Sequence, residues 1–394
     1  MNGTAVMDDW AASGLAALTG RPDGPPDGSR AAVLSEARVV ADRLGVLSGV
    51  RVDATELLAG RAGMRGLTRR GRISAGGATR LFAAKDGWCA LTLSRADDLA
   101  AVPALLEADD VDDVWAAIEA WATLREAGEV ADRARLLGLP VAVLGETKTS
   151  PTVCRQIGQR TDIPDYAGLL VVDLSSMWAG PLCGQLLARA GATVVKVESL
   201  SRPDGTRGGD PRFFDWMNSG KLCFSADFDD TSALRALLAC ADVVIESSRP
   251  AALERRALGP LDIPARDGRV WLRVTGHGTG GDRATWVGFG DDAAVSGGLV
   301  GAGTVFCGDA IADPLTGLQA AVEVAESLRR GGGELVEVAL AGVAANYAAL
   351  PTIPTELSSC AAPVGPPTAP PAGGVGADNG RVAQIVRERS TATC

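Results

Sequence analysis

The chain has 394 residues, of which 46% are hydrophobic and 22% are charged, proportions typical of a globular protein. This length predicts two or three domains and permits a sizeable core. Forty-eight acidic against 38 basic residues give a formal net charge of −10, which argues against a nucleic-acid-binding protein because such proteins usually carry a basic face. The sequence has no run of about 18 apolar residues, so we expect no membrane span.

The cysteines and the histidine limit the kinds of site. The eight cysteines form no C-x-x-C pair, so a zinc site or redox dithiol has little support. Their positions in apolar stretches predict buried, reduced thiols in a cytoplasmic protein. The first nine residues hold two acids and no basic cluster, unlike a signal peptide. His277 is the only histidine, which nearly excludes a histidine-based triad or a histidine-rich metal site.

The first 150 residues predict helices followed by a small mixed unit. Apolar residues recur at three- and four-residue spacing over 31–44, which predicts a helix. Two short apolar runs joined by the turn 85–87 predict a β-hairpin. Amphipathic helices over 95–137 and an apolar strand at 139–144 complete an α+β unit, which we place at 66–150.

The remainder of the chain alternates short buried strands with helices. This alternation predicts an α/β fold with a parallel sheet and helices on its faces. The strand–helix turn at 175–180 lacks the G-x-G-x-x-G fingerprint, which disfavours a dinucleotide cofactor. A long helix is predicted over 314–329. The Pro- and Ala-rich stretch 351–377 predicts an extended linker, followed by a last helix at about 379–388.

Motifs of the second half follow one another in a fixed order. The segments that carry them are 171–187, 191–198, 204–207, 218–221, 241–255 and 312–321. Together they resemble the family III CoA-transferases, the superfamily that includes carnitine CoA-transferase and α-methylacyl-CoA racemase. The resemblance implies a Rossmann-like large domain, a small α+β domain and an interlocked homodimer. It also implies acyl-CoA and a carboxylic acid as ligands, with no permanently bound cofactor.

The order of the domains departs from the family pattern, because the small domain here precedes the large one. Residues 8–14 and 291–297 share five of seven positions, which we interpret as a remnant of a duplication. We therefore predict a partial large-domain copy with a linker at 1–65 and the small domain at 66–150. The large domain is expected at 155–350 and the linker with a C-terminal helix at 351–394.

The resemblance places the family's aspartate nucleophile at Asp313. Such an aspartate attacks a thioester and carries CoA as an aspartyl thioester. Asp313 precedes Pro314, and Asp at the N-cap with Pro at the first helical position is also an ordinary helix start. The helix dipole there favours an ionised carboxylate. Asp309 is the rival nucleophile, and Asp27, at the matching place of the partial copy, is a third.

The resemblance also implies contacts with CoA. Trp178, Ala179 and Gly180 occupy the turn where the family contacts the thiol arm and the reacting carbonyl, and backbone N–H groups there can stabilise an oxyanion. For the phosphates the candidates are Lys221, Arg207, Arg249 and Arg255, of which any one can also be a solvated surface charge. Two departures, Ser199 and Ser247, replace residues that relatives use in their nucleotide pocket.

Two other functions stay open. The racemases of the superfamily use a histidine near the segment 288–292, which here has none. Racemisation needs two groups that exchange a proton at the α-carbon, a role that Asp291 or Asp292 can fill. A non-catalytic acyl-CoA-binding relative is the third hypothesis, motivated by the rearranged order.

Overall fold

The computed structural model describes residues 3–162, 165–249, 251–353 and 357–391. The chain begins with helices α1 (Gly3–Ala12), α2 (Leu15–Leu18), α3 (Ala32–Ser48) and α4 (Ala54–Arg65). The carboxylate of Asp53 caps α4 by accepting the Thr55 amide at 2.8 Å, a common helix start. The buried side chains of Trp10, Leu34 and Leu58 belong to the main hydrophobic core. This N-terminal segment therefore packs onto the rest of the protein.

A small antiparallel sheet follows the N-terminal helices. The elements of this unit are β1 (Thr79–Ala83), β2 (Trp88–Thr92), α5 (Ala96–Ala100), α6 (Val102–Leu106), α7 (Val114–Ala122), α8 (Ala127–Leu136) and β3 (Val141–Val143). The described strands pair in the order β1-β2-β3. Buried side chains of these strands and helices, among them Leu91, Ile118 and Val130, form a separate core. The predicted hairpin and the predicted strand near 139–144 are thus present as β1, β2 and β3.

The large sheet is built from the second half of the chain. The elements up to the β-ribbon are β4 (Val153–Gln156), β5 (Leu170–Asp173), α9 (Ala179–Arg189), β6 (Thr193–Ser199), α10 (Pro211–Asn218), β7 (Leu222–Ala226), α11 (Ser232–Cys240), β8 (Val243–Glu246), α12 (Ala251–Glu254), β9 (Val270–Thr275) and α13 (Gly290–Ser296). The ribbon and the elements after it are β10 (Val300–Gly301), β11 (Val305–Phe306), α14 (Ala312–Arg329), β12 (Glu334–Ala339), α15 (Leu340–Ala348) and α16 (Asn379–Thr391). This architecture confirms the predicted α/β fold class with a smaller sheet before the large one.

The strand order of the large sheet determines where a ligand crevice lies. Its described strands run β4-β12-β9-β8-β5-β6-β7, and all neighbours are parallel except β4 and β12. From β5 the chain first builds outward through β6 and β7 and then returns to the other side at β8. In such sheets the crevice opens at the carboxyl ends of the strands, at this reversal. The turn after β5 and the residues after β8 line that position.

Helix α14 begins slightly earlier than the sequence predicts. The backbone of Ile311 is already helical and acts as the N-cap, and its side chain makes no cap hydrogen bond. Asp313 therefore lies inside the first turn and is not itself the N-cap residue. The first turn is still where the helix dipole favours a negative charge.

The described parts of the predicted linker, residues 351–353 and 357–377, contain no helix or strand and make contacts along the protein surface, while residues 354–356 lie outside the described ranges. The amide of Ala361 donates to the carbonyl of Ala11 at 2.9 Å, and the amide of Ala372 donates to Asp215 at 2.8 Å. The described part of this segment thus connects the N-terminal helices to α10. Within the described ranges, no helix is long and apolar enough to cross a membrane, and no cluster of three or more His, Cys, Asp or Glu side chains is arranged to hold a metal ion.

Candidate active site

Asp313 lies half-buried in the first turn of α14. Its amide donates to the carbonyl of Ala310 at 2.9 Å, and Ala310 has a φ of +44°, an unfavourable conformation for a residue with a side chain. Burial raises the pKa of Asp313 to about 7, although Arg61 and the Gly290 amide oppose that rise. The Asp313 carboxyl group, the nucleophile expected from the sequence, is therefore partly protonated and partly ionised near neutral pH.

Three further carboxylates surround this position. Asp309, four residues earlier, is fully buried. Asp291 accepts the Ala310 amide at 2.9 Å, and burial together with the charge of Asp309 raises its pKa to about 6. Asp292 accepts the hydroxyl of Thr92 at 2.7 Å, and burial raises its pKa to about 8. These four carboxyl groups, together with Arg61, are called the acid cluster below.

Arg61 is the cation of the acid cluster, and sequence reasoning missed it. It comes from α4, and its Nε and Nη2 donate to the two oxygens of Asp309 at 2.8 and 2.7 Å. Its Cζ also lies 5.0 Å from the ring centroid of Trp178 and 5.7 Å from that of Phe213. No motif marks this arginine, because the segment 54–65 reads as an amphipathic helix.

The small sheet contributes two threonine hydroxyls to the acid cluster. The hydroxyls of Thr79 and Thr92 lie 2.9 Å apart on neighbouring strands, and Thr79 also reaches Asp291 at 3.5 Å. Both threonines are buried. The site is thus assembled within one chain from α4, the β1–β2 hairpin, α13 and the start of α14.

The turn after β5 brings Trp178 to the acid cluster. Met177, just before it, has a φ of +76°, and its amide lies 3.2 Å from a carboxylate oxygen of Asp204. The ring of Trp178 is almost fully buried, and its indole N–H has no partner among the described residues. Strained backbone and an unsatisfied donor are features that concentrate at functional sites.

Gly180 has a packing role in the same turn. A Cβ at this position would lie 2.3 Å from the Ser175 side chain, so a larger residue would force the β5–α9 turn open. Gly180 and Ala179 form the first turn of α9, where N–H groups have no partner within the helix. The turn therefore combines an indole N–H that has no partner among the described residues with the first turn of α9, and the Trp178 ring lies against Arg61 of the acid cluster.

Comparisons with known proteins identify the family. Residues 166–384, more than half of the chain, match the sequence model of CoA-transferase family III. The chain belongs to CoA-transferase family III. This confirms the resemblance drawn from the ordered motifs.

Three of the matched relatives cover between 29% and 46% of the chain. The succinyl-CoA–D-citramalate CoA-transferase of Chloroflexus aurantiacus is 30% identical over 194 residues, which cover 43% of this chain and 48% of that protein. The succinate–glutarate CoA-transferase of Agrobacterium fabrum is 29% identical over 209 residues, 46% of this chain and 52% of that protein. The α-methylacyl-CoA racemase of Mus musculus is 31% identical over 118 residues, 29% of each chain. This family III chain therefore spans about half the length, or less, of these curated relatives.

Among solved structures, a CaiB/BaiF family protein from Brucella suis aligns with a TM-score of 0.43 at 30% identity. The alignment covers 48% of this chain and 56% of that one.

Among the candidate CoA-binding residues of this family III protein, Lys221 is engaged in contacts inside the protein. Its side chain is buried, and its ammonium donates to Asp173 at 2.9 Å, the Pro181 carbonyl at 2.8 Å and Asn218 at 3.1 Å. Burial alone would raise the pKa of Asp173, but Lys221 and Lys196 outweigh it and lower that pKa. With all three donors engaged, Lys221 has none left for a phosphate, so we leave it out of the proposed CoA site.

The candidate arginines lie in different surroundings. Arg249 and Arg255 are exposed and follow β8, on the side of the crevice, and the Arg255 side chain donates to the Ala251 carbonyl at 3.0 Å. Arg207 instead binds Glu198 at 2.6 Å and stacks over Phe214, so its charge is already paired. Across the crevice, the Ser176 amide donates to the Ser247 hydroxyl at 3.1 Å.

Two other residues singled out from the sequence lie apart from the acid cluster. Asp27 is buried, and its carboxylate accepts the Ser29 amide at 2.7 Å and the Ala302 amide at 2.7 Å, contacts that hold a turn together. His277 lines a separate cavity of about 580 Å³, and burial lowers its pKa to about 3. A neutral imidazole in that position gives no acid–base partner to Asp313.

Proposed function

We propose that the protein is an acyl-CoA:carboxylate CoA-transferase that works through an aspartyl-CoA thioester on Asp313. One observation supports this most: the aspartate at the family's nucleophile position lies in the acid cluster, beside Arg61 and Trp178, in one chain. The names of two matched relatives describe transfer of CoA from one acid to another. For this chain, acyl-CoA and a carboxylic acid are the proposed substrates.

The proposed reaction preserves the energy of the thioester. The Asp313 carboxylate attacks the thioester carbonyl, the C–S bond breaks, and CoA leaves as thiolate from a mixed anhydride. The thiolate then attacks the Asp313 carbonyl, which releases the donor as a carboxylate and leaves aspartyl-CoA. The acceptor carboxylate repeats both steps in reverse, so that new acyl-CoA forms and Asp313 is regenerated. Water must be excluded, because it would hydrolyse the anhydride.

Other residues of the site have supporting roles in this proposal. Each attack places negative charge on a carbonyl oxygen, which preorganised donors stabilise. The indole N–H of Trp178, which has no partner among the described residues, and the first amides of α9 at Ala179 and Gly180 are the proposed donors. Arg249 and Arg255 are the proposed phosphate contacts, since guanidinium groups bind phosphate through paired hydrogen bonds. A homodimer and a cytoplasmic location stay predictions, and light scattering tests the first.

A mass-spectrometric screen tests the activity. The protein is incubated with a panel of acyl-CoAs and carboxylic acids, and new acyl-CoA masses are sought. Asp313→Asn is the matched control, since Asn preserves the shape of the side chain but is not a nucleophile. New thioesters with the wild type and none with the variant are expected. Binding of CoA esters without transfer would contradict the proposal and favour a non-catalytic relative.

The raised pKa values of two neighbouring carboxyl groups favour an acyl-CoA isomerase as the second candidate. Asp291 and Asp313 both have pKa values raised close to neutrality, to about 6 and about 7, as suits two groups that exchange a proton at an α-carbon. Incubation of acyl-CoA with the enzyme in deuterated water separates the two functions. Deuterium at the α-carbon without any acceptor acid would favour the isomerase.

A further inference from the structure

Arg61 occupies a central position between two parts of the acid cluster. Two of its nitrogens bind Asp309, which is completely buried. The third, Nη1, has no hydrogen-bond partner among the described residues, and the guanidinium is packed against the ring of Trp178. The backbone of Gly76, from the loop before β1, closes over the pair, since a Cβ there would lie 3.2 Å from Nη2 of Arg61.

The charges that act on Asp313 come from three elements. Arg61 on α4 is the positive one. Asp291 on α13 and Asp309 in the turn before α14 are the negative ones. The remaining polar contact is the amide of Gly290, which favours the ionised carboxylate. Arg61 is thus a cation that pairs directly with Asp309 and whose charge also favours the ionised forms of Asp291 and Asp313.

We infer that Arg61 is a positioning residue for the transfer reaction: it fixes Asp309 by two hydrogen bonds, and its charge stabilises the ionised, nucleophilic form of Asp313. This inference rests on the proposed function, in which Asp313 must attack as a carboxylate. It also gives the N-terminal segment, which lies outside the matched range 166–384, a part in the chemistry of the large domain.

The alternative is that the Arg61–Asp309 pair only joins α4 to the turn before α14. The two roles differ in how each partner affects Asp313. Removing Arg61 takes away an attractive charge, so the pKa of Asp313 rises. Removing Asp309 takes away a repulsive charge, so that pKa falls. A pair that acts only as a structural link would give the same effect whichever partner is lost.

The experiment measures the ionisation of Asp313 directly and in parallel with activity. Full-length protein with ¹³C-labelled aspartate carboxyls is titrated by NMR, and Asp313→Asn assigns the resonance. An opposite charge close by shifts a carboxyl pKa by about one unit or more, so Arg61→Met is expected to raise the titration midpoint of Asp313 by about one unit. Asp309→Asn is expected to lower it, and Arg61→Lys, which retains the charge, to leave it near the wild-type value.

The activity profile provides the second readout. Arg61→Met should move the acidic limb of kcat/KM to higher pH, and Asp309→Asn should move it to lower pH. Arg43→Ala is the matched control, because Arg43 binds Glu326 on the outer side of α3 and α14, away from the acid cluster. If Arg61→Met does not fold because Asp309 is left unpaired, Arg61→Met/Asp309→Asn replaces it. Arg61 acts on Asp313 more strongly than Asp309 does, so the double variant should still raise the midpoint.

The results separate this inference from the proposed function. A midpoint that is unchanged in Arg61→Met, or that moves in the same direction for Arg61→Met and Asp309→Asn, overturns the role of Arg61 whatever the activity. A wild type that transfers no CoA overturns the proposed function, and the NMR titration still reports on the charge balance of the acid cluster.

Discussion

The backbone of Gly290 lies directly against the carboxylate of Asp313. A Cβ at residue 290 would be 2.4 Å from Oδ2 of Asp313 and 2.3 Å from the Ala310 carbonyl oxygen. Both distances are far below ordinary contact, so only glycine fits between α13 and the start of α14. This close approach places Asp291, the next residue, and Asp313 in the same small space.

Gly290→Ala should therefore displace Asp313 and lower the rate of CoA transfer. A misplacement of about 1 Å at a reacting group can cost roughly a hundred-fold in rate, and overpacking typically costs about 1–3 kcal/mol in stability. Steady-state kinetics and thermal unfolding measure the two effects. Gly128→Ala is the control, because a Cβ at that position in α8 meets nothing within 4 Å. Equal activities of the two variants would show that the contact does not position Asp313.

The rate of transfer should increase with pH across neutrality. Asp313 attacks as a carboxylate, and its pKa is raised to about 7 by burial. Below that value, each decrease of one pH unit should reduce kcat/KM about ten-fold, because the ionised fraction of Asp313 falls about ten-fold as well. A pH–rate profile measures this limb. A profile that is flat from about pH 5 to about pH 8 would show that ionisation of this group does not limit the reaction.

Asp313→Asn should be inactive and yet more stable than the wild type at alkaline pH. The folded state has a raised pKa at this position, so between the ordinary value and about 7 the folded protein retains a proton that the unfolded chain releases. Stability from this group is therefore lost as pH rises, and asparagine removes that loss. Thermal unfolding at about pH 5 and about pH 8 should show a difference in Tm that grows with pH. A variant that is less stable at the higher pH would contradict the assigned environment.

Lys221 and the exposed arginines should give opposite results on mutation. Lys221→Met leaves Asp173 buried without its partner, which typically costs about 3–5 kcal/mol. Arg249→Ala and Arg255→Ala remove exposed charges and should leave Tm unchanged, while KM for acyl-CoA rises roughly ten-fold if each binds phosphate. Calorimetric binding of CoA and thermal unfolding distinguish these outcomes. A stable Lys221→Met protein that has lost CoA binding would restore Lys221 to the CoA site.

Much of the fold follows from local patterns in the sequence. The alternation of apolar strands with amphipathic helices predicts the parallel sheet, and the helix predicted over 314–329 is observed as α14, which ends at the predicted residue. Helix α10 and strand β7 were not predicted. Helix α10 mixes aromatic with charged and polar residues, and β7, Leu222–Ala226, lacks the run of Val and Ile that marks β5 and β8. Neither has an apolar pattern that indicates an element by itself.

The site was only partly predictable, for physical reasons. Asp313 lies in a sequence motif, and so does Trp178. Arg61 contributes through a contact with Asp309, 248 positions away along the chain, and no local pattern reports such a contact. Lys221 also lies in a motif, but its burial depends on Asp173 and Asn218 packing around it. Motifs thus indicated which segments matter, while the partners of each charge required the folded structure.

Chemical trapping tests whether Asp313 carries the covalent intermediate. The protein is incubated with an acyl-CoA and hydroxylamine, which converts an activated aspartyl group into a stable hydroxamate, and the digested peptides are analysed by mass spectrometry. We expect one modified residue, Asp313, in the wild type and in Asp309→Asn, and no modification in Asp313→Asn. A label on Asp309 or Asp291, or transfer by Asp313→Asn at a rate close to the wild type, would contradict this role of Asp313.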